Sequence, residues 1–436
     1  MRNISCLLGL LLLAGSVAPT HAQVSIPDPG LNAAIREALQ KPTEPLTPSD
    51  MLSLEVLSAC CRDIKSLQGL EAARNLRIVD LHSNSLTNGA ILNSLTNLQI
   101  IDLFQNQLTV FDLSSALSNL TIVNISFNSL TQCSLPSGLT SMDTLFLEGN
   151  QLTNFTLPSG LTKLTQLDLS MNALSSFAFL ADMTNLTTAT AFGNQLTNVT
   201  LPGSLKRLGN LDLDHNRLRS LAIPAGLANL SRLTLLGNQL TNLTLPPDIT
   251  KLGSLDLADN QLASLKLPAN LTNLVFLRVS GNKLTSLALP EGMTNLTAVF
   301  LRSNQLTSLT LSAGLTHLIQ IDVMGNQLTN LTMPPDMTQL IALVVDGNPL
   351  TTLVLSDPLA DTNLAFVVAT LRNQGVSVFT YPLAAELVRP LMLIGSFKFG
   401  ITGPPGTTRS LAPQISRPGA HWALRATHLA ASTSLT

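Results

Sequence analysis

An asparagine returns every 22 residues along this chain. It stands at Asn84, Asn106, Asn128, Asn150, Asn172, Asn194, Asn216, Asn238, Asn260, Asn282, Asn304, Asn326 and Asn348, with no slip. A fixed period of this length marks a stacked repeat, in which each copy buries its apolar face against its neighbours. Each asparagine closes the same apolar frame. Leu76-x-x-Val79-x-Leu81-x-x-Asn84-x-Leu86 returns as Leu98-x-x-Ile101-x-Leu103-x-x-Asn106-x-Leu108 and as Leu252-x-x-Leu255-x-Leu257-x-x-Asn260-x-Leu262. Apolar residues two apart share one face of a short strand. Stacked copies pair those strands into a parallel sheet, and the asparagine amide satisfies backbone groups buried between copies. The thirteen asparagines therefore read as scaffold, not as a site.

The second half of each copy is regular too. Five residues past the asparagine stand Phe111, Cys133, Phe155, Phe177, Val199, Leu221 and Leu243; seven past stand Leu113, Leu135, Leu157, Phe179, Leu201, Ile223 and Leu245. This spacing predicts a second short extended segment. Proline then ends it at Pro136, Pro158, Pro202, Pro224, Pro246, Pro268, Pro290 and Pro334, as suits an outer edge.

From Leu54 to Leu355 the frame resembles the leucine-rich repeat consensus L-x-x-L-x-L-x-x-N-x-L, at a length within that family's range. The resemblance implies a leucine-rich repeat solenoid of the α/β horseshoe class, mostly β. Its concave face would be a parallel sheet of 22-residue repeats, and its convex side short strands or turns.

Solenoid ends need caps. Leu31, Ala34, Ile35 and Leu39 have helical spacing, and Thr47-Pro48-Ser49-Asp50 reads as the start of a second helix, with Thr47 as N-cap. This front end is similar to the helical cap of internalin-like secreted bacterial repeat proteins. Arg62 takes the asparagine position of a degenerate first copy. Past the repeats, Leu359 to Arg372 reads as a helix, then Val376 to Tyr381 and Phe397 to Ile401 as strands. The expected organisation is a signal peptide at 1–22, an N-terminal helical cap at 23–53, repeats at 54–358, a C-terminal cap with short strands at 359–406, and a disordered tail at 407–436.

Arg2 followed by an apolar stretch from Ile4 to Ala14, then Thr20-His21-Ala22, reads as an export signal cut near Ala22. The stretch is shorter than the roughly 20 residues that a membrane span needs. Three cysteines then remain, Cys60, Cys61 and Cys133. An odd number does not make a disulfide framework, and adjacent cysteines form only strained bridges. Cys133 lies on a core position. Residues 23–386 hold 18 basic and 26 acidic side chains, a net charge of −8. That balance argues against nucleic acid, whose phosphates require a basic face.

No phosphate loop, zinc-protease, nucleophile-elbow or calcium-loop motif occurs in the sequence. His82 and His215 lie six copies apart, too far to act together. No catalytic residue, metal ligand or cofactor is expected. The Asn-x-Thr/Ser triplets, such as Asn185, Asn229 and Asn295, arise from the repeated phrase Thr-Asn-Leu-Thr.

What remains is the strand face that alternates with the core leucines. Ile78, Ile100, Ile122, Phe104 and Phe146 form one expected apolar patch there. Phe276, Phe300, Arg278 and Arg302 form another. Aromatics flanked by arginine are the composition of binding hot spots. Phe192 adds an aromatic, and carboxylates such as Asp212 and Asp256 give the face an acidic character that would steer a basic partner. The candidate ligand-binding residues are thus Phe104, Phe146, Phe192, Asp212, Asp256, Phe276, Arg278, Phe300 and Arg302. The expected function is that of a monomeric secreted or cell-surface module that binds a protein ligand, with carbohydrate or peptide second. The alternative is a passive structural or adhesive component.

Overall fold

The computed structural model describes residues 23–383, 386–393 and 396–402; the expected signal 1–22 and tail 407–436 lie outside them. The chain divides into two compact units, Met1–Met142 and Asp143–Thr436. Both are stacks of leucine-rich repeat turns.

In the first unit, helix α1 (Pro29–Ala38) buries Leu31, Ala34 and Ile35. Asp28 caps it and does more. Its Oδ1 accepts from Leu31 N (3.0 Å), while its Oδ2 accepts from Lys65 N (2.8 Å) and Ser66 N (3.2 Å). One carboxylate so joins the cap to the first turn of the repeats. Helix α2 (Pro48–Leu52) begins in a capping box, with Thr47 and Asp50 satisfying each other's backbone N–H. Arg62, at the asparagine position of the first turn, pairs with Glu37, and its backbone N–H reaches the Asn84 amide oxygen at 3.1 Å. The sheet here comprises Val56–Ser58, Ile78–Asp80, Ile100–Asp102 and Ile122–Asn124, paired parallel.

In the second unit ten three-residue strands, from Thr144–Phe146 to Ala342–Val344, continue the same pattern among the described residues. Every pairing sets a residue beside the one 22 further on, as in Leu233↔Leu255 and Leu255↔Leu277. The middle residue of each strand is buried, as a strand covered on one face requires. On the opposite side, short parallel pairs such as Ser176–Ala178 with Asn198–Thr200 and Ser286–Leu289 with Ser308–Leu311 make the second layer. Extended segments, rather than helices, fill the proline-bounded half of the repeat.

The asparagine ladder pairs backbone groups that are buried between the turns. Asn260 donates to the carbonyls of Leu235 (2.8 Å), Leu257 (3.1 Å) and Ala258 (3.1 Å), and its Oδ1 accepts from Leu240 N (2.9 Å). A second ladder runs along the outside. Asn185, Asn229 and Asn295 each donate to a carbonyl 23 residues earlier, on Thr162, Lys206 and Thr272. These three triplet asparagines are thereby engaged in holding neighbouring turns together.

The residue just before each ladder asparagine is left-handed. Non-glycine residues hold this conformation at Ser83, Met171, His215, Asp259 and Ser303, and glycines at Gly149, Gly193, Gly237, Gly281 and Gly325. From Gly149 to Gly325 the two kinds alternate, and at two of these glycines the preceding turn leaves little room for a side chain. A Cβ at Gly237 would lie 2.7 Å from the His215 ring, and one at Gly281 would press on the Asp259 carboxylate.

Beyond the repeats, one expectation needs correction. Leu359 to Arg372 is not one helix but two, α3 (Asp357–Asp361) and α4 (Ala365–Asn373). The backbone leaves the helical region at Thr362. The strand Ser377–Tyr381 pairs with Thr352–Ser356, and Tyr381 donates its hydroxyl to Met333 O (2.7 Å). Glu386–Leu393 and Ser396–Thr402 form an antiparallel hairpin, of which the sequence reading foresaw the second strand.

Candidate functional site

The strand face carries the candidate residues, and register decides which of them meet. In the second unit one row crosses neighbouring strands in the order Asp212, Thr234, Asp256, Arg278, Phe300, Asp322. Phe276 stands one step back along its strand and its ring lies 5.5 Å from that of Phe300, tilted by 44°. Both phenyl groups are half-buried. Arg278 reaches Asp256 at 3.4 Å, and Arg302 reaches Asp322 at 3.1 Å. Phe276, Arg278, Phe300, Arg302 and Asp256 therefore form one patch on adjacent strands, with Arg278 beside Phe300 in the row and Arg302 two residues beyond Phe300.

The other candidates do not join it. Asp212 is two strands from Asp256 and acts instead with Asp214. Phe146, beside Asp168, and Phe192, which follows the strand Thr188–Thr190, lie on earlier turns of the second unit. Phe104 belongs to the first unit, where its ring meets Phe127 edge-on at 5.3 Å. Ile78, Ile100 and Ile122 sit side by side in that unit's sheet. Phe146, grouped with them in the sequence reading, falls in the other unit.

The acidic column has a structural duty that sequence reasoning missed. Asp80, Asp102, Asp168, Asp212, Asp256 and Asp322 each accept, through Oδ1, the backbone N–H two residues on, at 2.9 to 3.2 Å. Each closes an Asx turn that carries the chain from strand to asparagine. Asp256 and Asp322 are also neutralised by arginine, so the aromatic patch is less acidic than the row as a whole. Several positions expected in solvent are enclosed, namely Ser126, Ser170, Thr234, Ala258 and Asp322.

Asp214 was not among the candidates. Burial, and then the charge of Asp212, push its carboxyl up to about 6, against a 2.7 Å hydrogen bond from Leu236 N that opposes the rise. Burial and Asp168 likewise raise Glu148. The legible signal was the doublet Asp212-x-Asp214 on one strand face. Away from this face, burial pushes the Cys133 thiol up to about 12, consistent with an inert side chain.

A solenoid of parallel strands whose open face carries the side chains left over from ladder and core defines a leucine-rich repeat protein. The BspA-type leucine-rich repeat region matches in six copies over residues 81–169, 168–277 and 236–348. The chain belongs to this family. No curated protein matches it in sequence. Among solved structures it is similar to an internalin, InlF, of Listeria monocytogenes, at 22% identity over 81% of this chain and 95% of that one, with a TM-score of 0.56. It is similar also to the functional domain of InlJ from Listeria monocytogenes, at 19% identity over 86% and 94%, with a TM-score of 0.63. YopM, a leucine-rich effector protein from Yersinia pestis, aligns at 24% identity over 70% and 78%, with a TM-score of 0.53. These likenesses are of fold. Among the described residues no helix is long and apolar enough to cross a membrane.

Proposed function

We propose that this chain is an extracellular or cell-surface binding module, acting as a monomer, that holds a protein ligand on its strand face and performs no catalysis. The observation that carries this reading is the Phe276–Phe300 pair, 5.5 Å apart and flanked by Arg278 and Arg302. Aromatic and arginine side chains dominate the energetics of protein interfaces. The ion pairs to Asp256 and Asp322 hold the two guanidinium groups in place, which lowers the entropy lost on binding. An export signal at 1–22 and the internalin-like fold support the location. Phe146, Phe192 and Asp212, on earlier turns of the same unit, are secondary contacts in this reading, met only by a ligand that extends across several strands; Phe104, in the first unit, is a separate candidate. Carbohydrate or peptide ligands rank second.

A passive structural role is favoured by one fact, that the acidic row already serves the Asx turns. Capture of partners from native extract separates the two readings. The full chain should retain a protein that the Phe146→Asp/Phe300→Asp double variant loses, both being folded by circular dichroism. Equal capture by both would move the site off this face, and no capture by either would favour the structural role.

A further inference from the structure

The 22-residue register places Cys60 beside His82. The strands Val56–Ser58 and Ile78–Asp80 pair Ser58 with Asp80, and two residues further on the chain reaches Cys60 on one turn and His82 on the next. Cys61 N donates to His82 O at 3.3 Å, which ties the turns together. Cys61 occupies the left-handed position of its turn (φ 60°), the place taken by Ser83 one turn later. That conformation leaves Cys61 exposed and Cys60 half-buried, and neither is in a disulfide. Donor atoms of Cys60, Cys61 and His82 all lie within 4.8 Å of one another.

We propose that Cys60, Cys61 and His82 bind a thiophilic divalent cation, zinc foremost, at this junction of the first two turns. Zinc–thiolate bonds of about 2.3 Å and zinc–imidazole bonds of about 2.0 Å set tetrahedral ligand atoms roughly 3.5–4 Å apart. The donor atoms, within 4.8 Å of one another, stand near that spacing. Two thiolates and an imidazole select zinc over magnesium or calcium. On binding, each thiol releases its proton to solvent and the imidazole enters as the neutral base.

The surroundings fit. Asp80 Oδ1 lies 2.6 Å from His82 Nδ1. A proton held on Nδ1 by that carboxylate leaves the Nε2 lone pair for the metal, the usual carboxylate–histidine–metal relation. Asp102 falls within the same 4.8 Å of Asp80 and His82 and adds negative charge to offset the cation. Three protein ligands leave a fourth position for water. No spacing motif announces the site, because its third ligand comes from the next turn.

The test uses the full chain, reduced and kept free of oxygen, titrated with cobalt(II) and then zinc(II). The expected result is one cobalt per chain with thiolate-to-cobalt charge-transfer absorption, displaced by zinc. Cys133→Ala should keep the band, while Cys61→Ser and His82→Ala should lose it with unchanged circular dichroism. Asp80→Asn should keep the band and bind about 10- to 100-fold more weakly. The proposal is overturned if the folded, reduced chain shows no thiolate band, if the band survives Cys61→Ser, or if it vanishes in Cys133→Ala. A Cys60–Cys61 disulfide that forms despite excess zinc would overturn it as well.

Discussion

At the scale of single residues, Asn260 shows how much one side chain can hold. It makes four hydrogen bonds, all to backbone groups and all buried. Alanine there would strand several of those groups, and each costs about 1–3 kcal/mol when left unpaired. Asn260→Ala should therefore lower stability by about 3 kcal/mol in urea unfolding; a loss under about 0.5 kcal/mol would contradict the ladder. Asp214 has the opposite sign. Its folded pKa of about 6 lies above the ordinary 3.8, so the folded state holds the proton more tightly. Stability then falls as pH rises from about 4 through about 6, and the penalty is fully present above that range. Asp214→Asn keeps an acceptor for Leu236 N and removes the charge. It should raise stability at pH 8 on the order of 1 kcal/mol, discounted for the half-exposed site, and should flatten the pH 4–6 slope seen in thermal unfolding.

At the scale of elements, the periodic parts were legible and the joints were not. Leucine frame, asparagine and proline positions predict both layers of strands, because a 22-residue period repeats one packing problem many times. The helix N-terminus at Thr47 was readable because its capping chemistry is local. The triple role of Asp28 was not, since Lys65 and Ser66 approach it from another turn. The break between α3 and α4 was hidden because the apolar residues on both sides keep helical spacing. In the second layer, Asp182 and Asp248 accept from Gly160 N and Gly226 N at 2.6 Å, and Asp336 accepts from Gly314 N. These rungs pair positions 22 apart and were missed because they recur in only some copies. Asp28→Ala removes three hydrogen bonds where an ordinary N-cap loses one, worth about 1 kcal/mol. It should cost about 3 kcal/mol and expose residues 24–46 to early proteolysis. Protection unchanged from wild type would show that apolar packing alone holds the cap.

At the scale of the molecule, ladder and core use up the positions that recur from turn to turn, and individuality is left to the strand face. That division explains why the fold was readable and the site only partly so. Period and frame specify which residues face inward, but which outward residues cooperate depends on register between strands. Phe276, Arg278, Phe300 and Arg302 were grouped from sequence because they sit on adjacent copies. Their acidic tethers Asp256 and Asp322, and the enclosure of neighbours such as Thr234, came only with side-chain packing. Register likewise brings Cys60 beside His82, two residues that no linear motif connects.

The central claim is that the Phe276–Phe300 face does the binding. The most direct test is the dissociation constant of the captured protein ligand for the wild type, for Phe276→Asp/Phe300→Asp, and for Phe366→Asp, whose ring on α4 is 83% exposed and stands apart from the strand face. Loss of hot-spot contacts of 2 kcal/mol or more predicts at least about 30-fold weaker binding for the double variant, with Phe366→Asp equal to wild type. Wild-type affinity in the double variant would contradict the account, as would an equal loss in both.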